Sequence, residues 1–188
     1  HPYGGYMVNQ ISGPMVDLPQ FLTDRHQIIN DKSLTRYISR LEEFGRVIGE
    51  VKLRVMDARD NGTVPPDFII EKVLVGMRAF SEASGNDNVL IANLPAKLEK
   101  LDNISPERKL LLSEQAVDIV DNQIVPQYLE MIALFETLLS ETNHDAGIWR
   151  LPQGDAIYTQ ALKSNTTTDM SAEQIQHLGL SELARIEL

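Results

Sequence analysis

Imidazole is the commonest metal ligand and a proton carrier near neutral pH, so the four histidines, His1, His26, His144 and His177, come first. None has a second histidine four residues on, and the helical two-histidine zinc pattern is missing. The chain has no cysteine, which removes disulfides, thiolate metal sites and a cysteine nucleophile together. His144-Asp145 follows a helical pattern, where the helix dipole favours a protonated ring. A surface cap is the simpler reading there, a ligand or proton-transfer role the sharper one. Acid pairs such as Glu42-Glu43 fall opposite the apolar stripe of their helix, facing solvent rather than a cleft where two carboxylates could share acid–base work. No serine stands in a G-x-S-x-G elbow, and the glycines form no phosphate-cradling loop. The chain carries no complete active site of its own.

One segment concentrates unusual residues. Gly147–Tyr158 holds the only tryptophan, Trp149, with Arg150, Pro152, Gly154 and Tyr158, between long helical patterns. Loops that carry rigid aromatics and one fixed cation often line binding sites. The alternative is structural: Trp149 plugs the end of the core and Arg150 stacks or caps.

The elements around this segment are helical. From Leu34 the apolar residues Tyr37, Leu41, Phe44, Ile48, Val51, Val55 and Ala58 follow at steps of three and four, one stripe of a long helix. Ser33 is its expected N-cap and Asn61-Gly62 its left-handed stop. Gly45 and Gly49 within it indicate either a close backbone approach or simple tolerance. Pro66 and Asp67 open a second helix running to Ala83. A loop follows at Ser84–Asn88, then a short helical stretch from Val89 to Leu101. Ser105, Pro106 and Glu107 start a long pattern to Thr142, about 55 Å at ~1.5 Å per residue. Pro126 lies in its middle, lacks an N–H and crowds the Asn122 carbonyl, so a kink or break is expected there. Helix returns at Asp155–Leu162. An irregular Thr166–Met170 leads into a capping box at Ser171 and Gln174, stapled by Met170 and Ile175. Gly179-Leu180 closes a short helix there, with Ser181 as cap of the next. Residues 1–30 read as an irregular lead-in with a short helix around Leu18–Thr23, and residues 147–170 as loop-rich. With no strand alternation, the expectation is an all-α bundle of long antiparallel helices, one domain or lobe over 1–188, more than about 55% helical.

The totals exclude several classes. A formal charge of −10, from 27 acidic and 17 basic residues, repels phosphate backbones, and no basic cluster supports nucleic-acid binding. The densest basic stretch, Lys52–Arg59, reads as a solvated helix face. No apolar run is long enough to span a membrane, and no signal peptide is visible. The compartment, periplasmic or cytoplasmic, stays open. The chain opens at His1-Pro2-Tyr3 without methionine and closes on an amphipathic pattern with no stop signal. The expectation is a piece of a longer protein.

The spacing Gly147-x-Trp149-x-Leu151-Pro152-x-Gly154, then Tyr158, Thr166-Thr167-Thr168 and Glu173-x-Ile175-x-x-Leu178-Gly179-Leu180, resembles the bacterial family of domain of unknown function 885. Gly62-x-x-Pro65-Pro66 after a long helix is similar too. The likeness spans most of the chain. It implies a helical protein related to gluzincin-type zinc metallopeptidases, whose metal motif lies beyond the threonine-rich segment. By that resemblance zinc belongs to the parent protein, no cofactor to these residues, and the partners are the remainder of the parent chain and a peptide substrate. Trp149, Arg150, Tyr158 and Thr168 are the candidate substrate-binding residues, with Pro152 and Gly154 beside them. The implied function is the helical scaffold and substrate-cleft wall of a zinc-dependent peptidase-like protein, inactive by itself. The alternative is a helical interaction or ligand-sensing domain without catalysis.

Overall fold

A computed structural model describes residues 6–186, and expectations touching His1, Gly4, Gly5 and the last two residues fall outside it. The described chain is 76% helical and contains no strand, as the period of three and four requires. By its contacts the chain divides after His144, into Tyr6–His144 and the residues from Asp145 onward.

The larger unit begins with α1 (Pro14–Gln20), placed four residues before the expected Leu18 and continued by a π-turn, Phe21–Arg25. The long helix α2 spans Asp31–Asp60, and its N-cap is Asn30 rather than Ser33. Asn30 Oδ1 accepts from the Ser33 amide at 2.9 Å while Ser33 Oγ accepts from the Asn30 amide at 2.9 Å. Serine thus occupies the third helical position of a reciprocal capping box. Gly62, at φ 75°, ends the helix as its composition predicts.

Helix α3 (Asp67–Glu82) buries Ile70, Val73, Leu74 and Met77 and packs most extensively along α7 (Val125–Glu141). Between α3 and α6 (Pro106–Ile119) the expected single stretch is two short helices, α4 (Val89–Ala92) and α5 (Leu94–Glu99), broken at Asn93 just before Pro95. Asn88 is fully buried and holds this corner. Its amide donates to the Phe80 and Ala83 carbonyls at 3.2 Å, and its Oδ1 accepts from the Leu90 amide at 3.1 Å. A buried amide with its bonds made both ends α3 and starts α4.

Pro126 breaks the α-ladder as expected, but one turn early. A π-turn at Val120–Ile124 separates α6 from α7, and the Val125 amide bonds the Val120 carbonyl five residues back. The wider turn makes room for a residue with no N–H to give. Here α2 comes close: a Cβ on Gly45 would stand 3.2 Å from the Gln123 carbonyl oxygen, whereas one on Gly49 would meet only the Gln127 side chain at 3.4 Å. Close approach explains Gly45, tolerance Gly49.

The expected antiparallel packing holds for α3 against α7 but not for α2. Arg108 pairs with Asp31, Lys52 with Glu130 at 2.7 Å and Arg59 with Glu141, so residue numbers rise together along α2 and α6–α7. Arg78 with Glu136, and the Asp67 amide on the Asn143 carbonyl, run in opposite order. The α4–α5 connection returns the chain to the end where α2 began, which makes α2 and α7 parallel. The basic stretch Lys52–Arg59 is therefore partly paired across helices, in exposed contacts of small individual weight. The core includes Leu34, Leu41, Ile48, Ile124, Met131 and Phe135. Tyr128 stacks on Phe80 at 4.0 Å and gives its hydroxyl to the Met15 carbonyl at 3.1 Å.

The unit from Asp145 holds a 3-10 turn, Ile148–Arg150, then α8 (Gly154–Thr166) and α9 (Ala172–Ile186). The capping box at Ser171 and Gln174 forms in both directions, at 2.8 and 3.2 Å. α9 does not stop at Gly179. It runs through Gly179 and Ser181, and the Ser181 hydroxyl bonds the Leu178 carbonyl instead of capping a new helix. α8 likewise outlasts its expected end at Leu162 by four residues, closing on Thr167 at φ 57°.

Candidate functional site

The Gly147–Tyr158 segment folds as two turns back to back. Arg150 N–H donates to the Gly147 carbonyl at 3.2 Å and Leu151 N–H to the Ile148 carbonyl at 3.0 Å. A second turn closes as Gly154 N–H bonds the Leu151 carbonyl at 3.0 Å. Pro152 fixes φ at its second position, and Gln153 at its third takes φ 58°, the left-handed place of a type II turn. A glutamine held there carries strain that glycine or asparagine avoids.

Backbone blocks a side chain at Gly154, and the Trp149 ring occupies the space at Gly147. A Cβ on Gly147 would fall 2.1 Å from the Trp149 ring, so the indole lies back across position 147. A Cβ on Gly154 would fall 2.1 Å from the Ile148 carbonyl oxygen, so α8 starts against the backbone of the preceding turn. The spacing Gly-x-Trp and the later Gly are thus one packing unit.

Trp149 is 77% exposed and Tyr158 46% exposed, so the alternative in which Trp149 plugs the core does not hold. Arg150 is half-buried on the same 3-10 turn. Thr168 is exposed beyond the end of α8, its hydroxyl 3.0 Å from that of Thr166 and accepting from the Met170 amide at 3.4 Å. Beside it Lys163 and Asp169 form an exposed ion pair that holds the carboxyl below and the ammonium above their ordinary ranges, chiefly by the hydrogen bond between them. Trp149 and Arg150 are brought together by sequence adjacency alone, and Thr168 belongs to the connection between α8 and α9.

Among the described residues of this unit, Gly154 alone is buried. Leu178, Leu180, Leu183 and Ile186 of α9 are all exposed, at 49%, 60%, 56% and 71%. These two helices therefore bury no apolar side chain fully, although most helical stability comes from burying an amphipathic face.

Two histidines of the described chain, His144 and His26, differ in role. His144 caps no helix end; its Nδ1 lies 2.9 Å from Asp67 Oδ1 at the start of α3. His26 is buried, with Nε2 3.0 Å from the Ser33 carbonyl and Nδ1 against the Arg40 guanidinium. Arg40 lies over the Phe21 ring at 5.2 Å and, with Arg36, borders a cleft of about 540 Å³ between α1 and α2. Sequence reasoning missed this cluster. Its one local signal is two arginines four residues apart on the flank of the α2 stripe. Among the described residues no three His, Asp or Glu side chains converge as metal ligands.

The fold defines an all-α protein with an aromatic- and glycine-bearing turn at the head of its smaller unit. The chain belongs to the family of bacterial proteins of unknown function DUF885, whose profile matches residues 2–188. It is similar to a solved protein described as a putative lipoprotein from Colwellia psychrerythraea, with 28% identity and a TM-score of 0.89. That similarity covers 96% of this chain and 31% of the other, so the chain spans under a third of the relative's length. No curated protein matches the sequence. Among the described residues no helix is long and apolar enough to cross a membrane.

Proposed function

We propose that this chain is the helical scaffold of a larger peptidase-like protein, in which residues 145–186 dock the remainder of the protein and Gly147–Tyr158 walls its substrate cleft. The observation that carries this reading is the exposure of Trp149, Tyr158 and the α9 leucines on a unit that buries no apolar side chain fully. Exposed apolar groups of this size, held on a packed turn, suit a protein or peptide contact. In this reading Arg150 meets a carboxylate or backbone carbonyl of a peptide. Zinc, a water nucleophile and its base belong in this reading to residues outside the chain.

The test uses the intact protein with Trp149→Ala and Arg150→Gln, measuring peptide turnover and melting temperature together. Lost turnover at unchanged melting temperature supports a cleft wall. A fall in melting temperature with activity per folded molecule intact returns the segment to a packing role. An intact protein that hydrolyses no peptide favours the interaction-domain alternative.

A further inference from the structure

We propose that the cleft between α1 and α2 binds a single-chain amphipathic carboxylate, with its head on Arg36 and Arg40 and its chain along Phe21, Leu22, Phe44 and Val47. The cleft is distinct from the Gly147–Tyr158 turn and lies wholly within Tyr6–His144. Its volume of about 540 Å³ falls in the range of small-molecule sites, which run from roughly 300 to 1,000 Å³. Its floor is apolar, and its rim carries two cations.

The cations are arranged rather than scattered. Arg36 and Arg40 stand one turn apart on α2, a like-charge spacing that an isolated helix disfavours. Among the described residues neither pairs with a carboxylate. Glu43, the acid on the lining, is held by Arg46 at 2.6 Å. In a chain with ten more acidic than basic side chains, two arginines left without acids beside an apolar cleft mark a place for an external anion.

Arg40 is also held in position. The His26 Nε2–H donates to the Ser33 carbonyl at 3.0 Å, which leaves Nδ1 as the acceptor for Arg40 Nη1. Burial holds the His26 pKa below its ordinary value, consistent with that neutral tautomer. Phe21 stacks beneath the guanidinium at 5.2 Å. One guanidinium nitrogen and one face are thereby fixed, and the remaining N–H groups stay available to the two oxygens of a carboxylate. The apolar floor sets the rest of the ligand: each methylene buried there strengthens binding by about fourfold.

The experiment is calorimetric titration of the 188-residue chain with sodium dodecanoate below its micelle concentration, alongside octanoate, decanoate and dodecyltrimethylammonium. The variants are Arg36→Gln/Arg40→Gln, both exposed positions, and Ser39→Trp, which fills the cleft from its exposed rim; circular dichroism melts confirm folding. The expected result is one saturable site, tightening with chain length, weakened at least tenfold by the double substitution, blocked by Ser39→Trp and absent for the cationic amphiphile. Non-saturable uptake, equal affinity for dodecyltrimethylammonium, or dodecanoate binding unchanged in Ser39→Trp would each overturn the proposal. So would saturable binding of a peptide C-terminal carboxylate where dodecanoate shows none.

Discussion

Replacing Gly154 with alanine places a methyl carbon 2.1 Å from the Ile148 carbonyl oxygen, 2.8 Å from its carbon and 3.0 Å from Trp149 Cα. Carbon–oxygen contacts settle at about 3.3–3.6 Å, so the two backbones must separate by more than about 1 Å. Every obstructing atom is main chain, and no rotamer relieves it. Overpacking of this kind costs about 1–3 kcal/mol, against a gain of up to ~1 kcal/mol for removing a helical glycine. The net expectation is a local loss of roughly 1–2 kcal/mol. Hydrogen exchange reads it at the amides that close this segment: Leu151 on Ile148, Gly154 on Leu151 and Ile157 on Gln153. Their exchange should quicken about tenfold for each 1.4 kcal/mol lost. Gly147→Ala is the internal control, since its Cβ meets the Trp149 ring, which is exposed and can swing away. That variant should keep wild-type protection but shift the emission of the only tryptophan. Wild-type exchange in Gly154→Ala, or equal loss in both variants, would refute the packing argument.

Gly179 lies inside α9 with nothing within 4 Å of an added Cβ; Gly179→Ala should stabilise that helix by about 1 kcal/mol, slowing α9 amide exchange. Thr167, β-branched at φ 57°, occupies the position where glycine ends helices; Thr167→Gly should strengthen the last turn of α8 by up to ~1 kcal/mol, seen as added protection at the Thr167 amide. The His26 pKa lies below 6.5, chiefly through burial, with the Ser33 carbonyl opposing and Arg40, Lys97 and Arg36 adding to the fall. A folded-state value below the unfolded one means stability present above about 6.5 and lost as pH falls through the folded value. The urea midpoint should therefore drop between pH 7.5 and 5, and His26→Gln should flatten that drop; an identical slope in the variant counts against it.

The helices of Tyr6–His144 were legible because their information is local and repeated. The stripe from Leu34 to Val55 is the buried face observed, and Pro126 declared an interruption wherever its neighbours sat. What the stripe could not fix was its own beginning. Asn30 and Ser33 are both good caps, and the choice depends on reciprocal bonds that only a folded turn displays. Helix direction was less legible still. The α4–α5 connection reads as loop and short helix, and nothing within it states that it carries the chain back to the starting end. Parallel packing of α2 with α7 follows from that return, and pairs such as Lys52 with Glu130 record it only afterwards.

The two candidate sites differ in the same way. Gly147–Tyr158 stood out because its parts are neighbours in sequence, and its geometry depends on them almost alone: Gly147 under the indole, Gly154 against Ile148, Pro152 setting the turn. The Arg36–Arg40 cleft has no such signature. Arg40 becomes a held guanidinium only because a π-turn delivers Phe21 beneath it and then His26 beside it, from a lead-in with no apolar period. That π-turn closes through the His26 amide on the Phe21 carbonyl, five residues back. An α-helical turn has 3.6 residues, and one extra residue rotates the succeeding chain by about 100°. A short helix at Leu18–Thr23 inside an irregular lead-in carries no such turn, and so brings neither Phe21 nor His26 to Arg40. The cluster is concealed because its parts, Phe21, His26 and Arg40, meet only through that turn.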